Sequence, residues 1–244
     1  MLLPRVVVGL AASLALLSGC SGAATTQPSA AASGTSATTA TSAPAGTALT
    51  PEAFVDKVAT AMKSVTSYTT DMTITNGDKK STMQAVVKAD NGRTTAMRLT
   101  MTGEAATEMI VIDGKYFMKS AQGWVKMPES TTKSMDLSQT DQTQWMRDNK
   151  DAITAVDLVG SENVNGVQAD HYRVTLDLSK ASGASASTAR ISNYEAWLDS
   201  EGRMVKVLMT AEMGGTKTVT EVLVSKYNEP VEIKAPADYT EMPG

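Results

Sequence analysis

The sequence predicts an α+β domain built on an antiparallel sheet of about ten or eleven strands, with helices covering one apolar face. Apolar and polar residues alternate along most of residues 68–227, which is typical of strands with one buried face. Asn-Gly and Asp-Gly pairs interrupt this alternation and suit two-residue hairpin turns. Helical spacing of apolar residues is limited to short segments, so helices should form only a minority of the domain.

By composition the chain divides into three parts. Residues 1–19 combine Arg5, an apolar run and small residues before Cys20, which is the layout of a secretory signal. Residues 20–48 begin with Cys20 and then contain almost only Ala, Ser, Thr, Gly and Pro without charge, which predicts a flexible tether. Residues 49–244 are globular in composition and long enough for one domain with a sizeable core.

The apolar run at residues 6–17 has two alternative interpretations. A transmembrane helix needs ~20 apolar residues, and this run has about a dozen. An ordinary secretory signal can contain a cysteine by chance, but Cys20 is the only cysteine in the chain and stands at the cleavage position. We therefore favour a signal that is cleaved immediately before Cys20.

About three helices are predicted: one at the start of the domain, and one or two short helices between residues 128 and 151. Thr50 can cap the first, Pro51 suits its first turn, and Glu52 suits the positive end of the helix dipole. Apolar residues then recur at helical spacing and predict a helix of about four turns that ends near Ser67. The second helix is predicted over residues 141–149, lying across the sheet.

Alternation and turn signals place the strands in two meanders. The first meander has six predicted strands, within residues 68–74, 83–89, 97–101, 108–112, 116–119 and 124–127. The second meander has five, within residues 156–161, 168–178, 194–198, 203–213 and 216–227. Residues 180–189 are predicted as a loop. From residue 229 the chain is predicted as an extended tail, with no strand after Ile233.

Composition argues against several classes of function. The formal charge is −4, and no cluster of Lys and Arg suggests a nucleic-acid partner. The single histidine, His171, alternates with Arg173 on a polar strand face and is predicted to face solvent. No nucleophile-and-base motif, metal-ligand spacing or phosphate-binding glycine loop accompanies it. The sequence therefore predicts a protein that is not an enzyme and uses no metal or cofactor.

Methionine is abundant, with 15 residues in the chain. Those that fall on predicted strands include Met72, Met83, Met97, Met101, Met109, Met118, Met209 and Met213. A methionine wall can adapt to varied apolar ligands, because the side chain is flexible and its sulfur is polarizable. An ordinary filled core in which Met replaces Leu explains the pattern equally well, so both alternatives stay open.

The segment Leu17-Ser18-Gly19-Cys20 resembles the lipobox of bacterial lipoproteins. This resemblance implies that Cys20 becomes the mature amino terminus and carries a diacylglyceryl group, with fatty acyl chains such as palmitate. Two acyl chains suffice for stable anchoring in a membrane, whereas one chain gives only marginal binding. The resemblance therefore implies a protein anchored at the extracytoplasmic face of the cell membrane.

An ordered set of motifs also runs through the domain. The motifs are Tyr116-Phe117-Met118, Gly123-Trp124-Val125-Lys126, residues 159–167, residues 171–177, Ala196-Trp197-Leu198-Asp199, Gly202-Arg203, Ser225-Lys226-Tyr227, Pro230-Val231 and Ala235-Pro236. Together they resemble the actinobacterial lipoprotein family of LppX/LprG type. The resemblance implies a strongly curved antiparallel half-barrel, similar to the LolA and LolB carriers, with helices covering its concave face. It also implies that acyl chains of lipids or lipoglycans bind between the sheet and the helices.

We therefore expect a membrane-anchored lipid carrier or chaperone, gated by the helix at residues 49–65 and by residues 137–149. Alternation selects the residues expected to line its cavity: Phe54, Val58, Met62, Met97, Leu99, Met101, Met109, Val111, Met118, Val174, Leu176, Tyr194, Leu198, Val207 and Met209. The alternative is an accessory lipoprotein with a filled core that acts through surface contacts with a membrane partner such as a transporter. A cavity of ~300 Å³ or more would favour the carrier.

Overall fold

The computed structural model describes residues 48–103, 106–132, 146–181, 190–213 and 215–242. By its internal contacts the chain divides into two units, residues 1–40 and 41–244, and all described residues belong to the second. The predicted signal, Cys20 and the tether up to residue 47 lie outside the described residues. Most of the helix predicted at 141–149 and of the loop predicted at 180–189 also lies outside them.

The described part of the second unit has these helices and strands. They are α1 (Pro51–Lys63), β1 (Ser67–Asn76), β2 (Lys79–Asp90), β3 (Arg93–Thr102), β4 (Thr107–Ile112), β5 (Lys115–Ser120), β6 (Gly123–Lys126), α2 (Glu129–Thr132), β7 (Ile153–Val164), β8 (Val167–Leu176), β9 (Arg190–Asp199), β10 (Met204–Met213), β11 (Thr216–Ser225) and β12 (Thr240–Glu241). Residues 146–148 are helical, and short 3-10 turns span Lys150–Ala152 and Leu178–Lys180. No helix among the described residues is long and apolar enough to cross a membrane.

The described strands form one open sheet in the order β12-β6-β5-β4-β3-β2-β1-β11-β10-β9-β8-β7. All neighbours are antiparallel except β12 and β6, which are parallel. The two predicted meanders are therefore present, as β1–β6 and β7–β11. They meet where β1 pairs with β11, with Met72 opposite Val222.

The sheet has twelve described strands rather than the ten or eleven expected, and β12 is the strand that the sequence analysis missed. The expectation of no strand after Ile233 was wrong. Thr240 and Glu241 pair with Val125 and Lys126 through the backbone, and the Glu241 carboxylate lies 3.0 Å from the Lys126 ammonium. A two-residue strand of polar residues has no alternation that a sequence pattern could detect.

Helix α1 forms where the sequence predicts it. The Thr50 hydroxyl accepts a hydrogen bond from the backbone N–H of Ala53 at 3.2 Å, and Pro51 occupies the first turn. The helix ends at Lys63 rather than near Ser67. By Ser67, where β1 begins, the backbone is already in an extended conformation. Asn228 Oδ1 accepts a hydrogen bond from the backbone N–H of Thr66 at 2.7 Å, which fixes the direction in which the chain leaves the helix.

Two turns of the sheet lie against α1. A Cβ atom added at Gly202, in the turn between β9 and β10, would come within 2.8 Å of Lys57 Cγ. A Cβ atom added at Gly92, between β2 and β3, would lie 3.7 Å from the Met62 carbonyl oxygen. Both glycines have positive φ angles, of 84° and 76°, which other residues adopt only with strain. The helix therefore crosses the end of the sheet where these two turns lie.

The buried face of α1 packs on the second meander. Phe54 is fully buried, and its ring meets that of Tyr172 edge to face at a centroid distance of 5.7 Å. Val55 and Val58 join the same core cluster, which also includes residues of β7, β8, β9 and β10. This packing fixes the helix over one half of the inner sheet face, the face that it covers.

The opposite face of the sheet is more apolar than the sequence analysis expected. Ala96, Ile110 and Phe117 form a buried cluster there with Ile233 from the tail that follows β11. A second cluster joins Ala169, Trp197 and Val205. The outer face is therefore partly covered by the chain's own tail, although α1 covers only the inner face.

Candidate binding cavity

A cavity of about 630 Å³ lies between α1 and the inner face of the sheet, and it is partly open. Eight strands, the helix and one residue after β11 contribute to its wall. The lining residues are Val58, Met62, Tyr68, Thr70, Met72, Met83, Ala85, Val87, Thr94, Met97, Leu99, Met109, Leu176, Ile191, Tyr194, Met204, Val207, Met209, Thr220, Val222, Val224 and Tyr227. The volume lies within the range typical of ligand sites, ~300–1,000 Å³.

The wall of the cavity is almost wholly apolar. None of its 22 residues carries a charge or a side-chain amide, and seven of them are methionines. The polar groups on the wall are hydroxyls of three threonines and three tyrosines. Burying an ionised group against such a wall would be costly, whereas an apolar chain would gain free energy there.

The register of the sheet explains why these side chains converge. In β1, β2 and β3 alternate residues point to the same face, so that Thr70, Ala85 and Leu99 lie opposite one another in adjacent strands. Across the central pairing, Val222 of β11 lies opposite Met72 of β1. The two meanders therefore supply one continuous apolar wall, because the register keeps their apolar residues on the inner face.

Tyr227 lines the cavity just after β11, and its phenol is held in place. Its hydroxyl donates a hydrogen bond to the Met204 carbonyl oxygen at 2.6 Å. Burial raises the pKa of this phenol far above its usual range, with smaller contributions from Tyr68 and Asp199. The Arg203 guanidinium lies 4.9 Å from the ring centroid, but its Nε is paired with Asp199 at 2.7 Å. The phenol therefore stays neutral.

Nine of the fifteen residues predicted to line a cavity lie on its wall. These are Val58, Met62, Met97, Leu99, Met109, Leu176, Tyr194, Val207 and Met209. Their part in binding a ligand stays a prediction.

The other six predicted residues lie apart from the cavity wall. Phe54, Val174 and Leu198 fill the core between α1 and the second meander. Val111 is fully buried in a cluster with Tyr116. Met101 and Met118 are only partly buried and do not line the cavity.

Sequence reasoning missed thirteen wall residues. On β1 and β2 the missed residues Tyr68, Met72, Met83, Ala85 and Val87 alternate clearly, so consistent use of the pattern would have found them. The wall residues of β11, Thr220, Val222 and Val224, become neighbours of the others only through pairing with β1. That pairing joins strands from opposite ends of the domain, and no local pattern predicts it. The remaining missed residues are Thr70, Thr94, Ile191, Met204 and Tyr227.

His171 lies on the outer face, away from the cavity. The expectation that it faces solvent was wrong, since its side chain is only 15% exposed. Its ring stacks on Trp197 at a centroid distance of 4.1 Å. Its Nδ1 and Nε2 atoms lie 3.7 Å and 3.4 Å from carboxylate oxygens of Glu162 and Glu195. The alternation identified the polar face correctly, but it could not show that a tryptophan on the next strand covers the imidazole.

Within the described ranges, no group of three or more His, Cys, Asp and Glu side chains is placed to hold a metal ion. Cys20, the predicted lipidation site, lies outside those ranges.

A family model matches residues 5–205, and it describes a family of unknown function, DUF7537. The chain belongs to this family. Comparison with curated proteins gives no match. The matched residues include all of the first meander and reach into β10 of the second meander.

Two solved structures are similar to this member of the DUF7537 family. LprF from Mycobacterium bovis is 14% identical, with a TM-score of 0.53 over 79% of this chain and 100% of LprF. The lipoprotein LppX from Mycobacterium tuberculosis is 16% identical, with a TM-score of 0.52 over 75% of this chain and 98% of LppX. At these identities the likeness shows the fold alone. The resemblance to the LppX/LprG type is thereby confirmed at the level of the fold.

Proposed function

We propose that this protein is a membrane-anchored lipoprotein of the cell envelope that binds acyl chains in the cavity beneath α1, as a carrier or chaperone. Its role is non-catalytic. The observation that carries the proposal is the cavity itself: about 630 Å³ lined by 22 residues without a single charge. Moving an apolar chain from water onto such a wall is favourable by roughly 25 cal/mol per Å².

The composition of the wall supports a ligand of variable shape. Seven methionines line it, and their side chains can rearrange around saturated, branched or unsaturated chains. Eight strands contribute to the wall while α1 contributes Val58 and Met62, which supports a sheet curved as a half-barrel around the ligand. In this proposal α1 is the cover of the binding site.

The proposed location rests on Cys20 and on the fold. The segment before Cys20 is similar to a lipobox, and LppX, which shares the fold, is a lipoprotein. Lipidation at Cys20 would hold the domain at the extracytoplasmic face of the membrane, with residues 21–48 between the anchor and the domain. A lipid could then pass between the membrane and the cavity, or to a membrane transporter.

Lipid that co-purifies with the protein tests this proposal. A full-length Cys20→Ala variant that keeps its signal should be secreted without the anchor and can be purified without detergent. Native mass spectrometry followed by organic extraction should find acyl lipid bound to it. A protein recovered repeatedly without lipid, and unable to take up fatty acid, would favour the accessory role through surface contacts instead.

A charge placed on the cavity wall provides the matched test. Leu99 lines the cavity and is partly exposed, so that Leu99→Arg places a guanidinium in the acyl site without opening the filled core. Bound lipid should fall by at least about tenfold, because the buried charge opposes an apolar ligand. Thr100→Arg is the control, since Thr100 is exposed on the opposite face of the same strand. Equal lipid content in the two variants would contradict the proposed site.

A further inference from the structure

We propose that the methionines of the cavity wall are a site of oxidation by peroxides, and that their conversion to methionine sulfoxide prevents the cavity from accepting an acyl chain. This inference rests on the proposed function, because it adds a form of regulation to the same site. The class of oxidant is a hydroperoxide, of which hydrogen peroxide is the simplest.

The position of these methionines gives a peroxide access to their sulfur atoms. Seven methionines line the partly open cavity, and five of them are partly exposed: Met62, Met72, Met83, Met109 and Met209. The other two are buried, since Met97 is 7% exposed and Met204 is 4% exposed. The reactivity of sulfur side chains toward oxidants follows their exposure, so the five partly exposed methionines react first.

The register of the sheet places several of these methionines side by side. Met72 of β1 lies directly opposite Met83 of β2, and Met109 of β4 lies directly opposite Leu99 of β3. Side chains in such pairs are about 5 Å apart at Cβ and contact each other. Oxidation at these positions therefore changes a continuous part of the wall.

The chemical step is the transfer of one oxygen atom. A lone pair of the thioether sulfur attacks one oxygen of hydrogen peroxide, so that an S–O bond forms while the O–O bond breaks. The sulfur is oxidised by two electrons and the peroxide is reduced, and its second oxygen takes the proton of the first and leaves as water. The product is methionine sulfoxide, a polar side chain in place of a flexible apolar one.

Sulfoxides on the wall oppose an acyl ligand. Water hydrates a sulfoxide oxygen in the partly open cavity, and an acyl chain that covers this oxygen removes the hydration. The wall offers little in exchange, because it has no charged or amide side chain and the Tyr227 hydroxyl already donates to the Met204 carbonyl oxygen. A bound acyl chain, in turn, covers the sulfur atoms and excludes the peroxide. Acyl binding and oxidation therefore compete for the same surface.

Peptide mapping after treatment with hydrogen peroxide tests where oxidation occurs. The protein is the delipidated full-length Cys20→Ala variant, with and without saturating palmitate. We expect palmitate to slow the oxidation of the partly exposed wall methionines at least about fivefold, because it covers them. Without palmitate, wall methionines that react as slowly as a core methionine would overturn the inference.

Two other methionines of the same molecule are the controls for this mapping. Met242 is 39% exposed and lies outside the wall, so palmitate should leave its rate of oxidation unchanged. Met146 is 2% exposed in the filled core and should stay reduced while the fold is intact. Oxidation of the wall with Met146 still reduced therefore shows that the peroxide entered the cavity without unfolding the domain.

Leucine variants test the effect on binding, because leucine is apolar and similar in volume to methionine but has no sulfur. Peroxide should lower the palmitate affinity of the natural wall at least about tenfold, since the sulfoxides are desolvated by the ligand. A variant with Met62→Leu, Met72→Leu, Met83→Leu, Met109→Leu and Met209→Leu should have the same affinity before and after peroxide, whatever its starting value. The control carries Met101→Leu, Met118→Leu and Met242→Leu outside the wall and should lose affinity as the natural wall does.

The outcomes separate this inference from the proposed function. Unchanged palmitate affinity after oxidation of the natural wall would overturn the inference and leave acyl binding intact. An equal loss of affinity in the variant with five leucines on the wall would also overturn it, because the loss would then arise elsewhere. Failure of the natural wall to bind palmitate before peroxide would overturn the proposed function and its regulation together.

Discussion

At the scale of single residues, Tyr227 connects the cavity wall to the turn between β9 and β10. Its hydroxyl donates a hydrogen bond to the Met204 carbonyl oxygen, and its ring lies beneath the guanidinium of Arg203. Arg203 in turn pairs with Asp199, a carboxylate only 4% exposed that also accepts the backbone N–H groups of Glu201 and Arg203. A change in the charge of this one phenol would therefore affect both the cavity wall and the turn that lies against α1.

We predict that the stability of the fold decreases above pH ~10 because of Tyr227, since an unfolded tyrosine ionises at about that pH. Burial raises the pKa of this phenol, so the folded state keeps the proton that the unfolded state has lost. Below pH ~10 the free energy of unfolding thus includes the full contribution of this phenol. Above pH ~10 the free energy of unfolding falls by up to about 1.4 kcal/mol per pH unit. Urea denaturation between pH 8 and pH 11 measures this decline.

The Tyr227→Phe variant isolates that contribution. It loses the hydrogen bond to Met204, which should cost about 1 kcal/mol at neutral pH, but its stability should fall less steeply at alkaline pH. Tyr239→Phe is the control, because Tyr239 is 44% exposed and should keep the slope of the natural protein. An unchanged alkaline slope in Tyr227→Phe would show that another group causes the decline.

At the scale of elements, the tail after β11 acts as a cover for the outer face of the first meander. Ile233 is 8% exposed and packs with Ile110 and Phe117, the ring of Tyr239 meets that of Phe117 at a centroid distance of 5.1 Å, and β12 then pairs with β6. The tail leaves the sheet after β11, which is a central strand, and ends in β12, which lies at one edge of the sheet. Its contribution to stability comes from the packing of Ile233 and Tyr239 and from the short pairing of β12 with β6.

We predict that Ile233→Ala lowers the free energy of unfolding by about 2–4 kcal/mol, because it leaves a cavity in the outer cluster. Val167→Ala also removes apolar carbons from a β-branched side chain, but Val167 is 40% exposed, so this control should change stability by less than about 0.5 kcal/mol. Denaturation midpoints measured under identical conditions compare them. Similar midpoints in the two variants would mean that the tail does not stabilise the sheet.

The elements differ in how far the sequence could predict them. Helix α1 has a capping hydroxyl, a proline in the first turn and regular apolar spacing, all of which are local signals. The hairpin turns at Asn91-Gly92 and Asn165-Gly166 have positive φ angles at both residues, as their composition predicts. In contrast, β12 and the docking of Ile233 depend on contacts between distant parts of the chain, and no local signal marks them.

At the scale of the whole molecule, alternation predicted the class of fold and two meanders, but not how the meanders join. The pairing of β1 with β11 brings Val222 and Met72 together and completes the cavity wall. The sequence therefore predicted which faces are apolar better than which residues share a cavity. Phe54 and Leu198 lie on the inner side as predicted, but they are buried in the filled core and do not line the cavity. Only the packing of the folded chain distinguishes a filled core from an open cavity wall.

We predict that Cys20→Ala moves the protein from the membrane to the soluble extracytoplasmic fraction, with at least a tenfold change in distribution, because the proposed lipid anchor is lost. Cell fractionation with immunoblotting measures the distribution. Ser21→Ala is the control and should stay with the membrane. Retention of the Cys20→Ala variant in the membrane would mean that another segment, or a protein partner, provides the attachment.

The central position of the β1–β11 pairing has a consequence for the export that the predicted signal implies. A chain that crosses the membrane amino end first delivers β1 early and β11 almost last. Because the β1–β11 pairing joins the first and the last long strand of the chain, it can form only after nearly the whole polypeptide has left the translocation channel. In the proposed function, the cavity is therefore completed on the far side of the membrane and cannot be loaded before export.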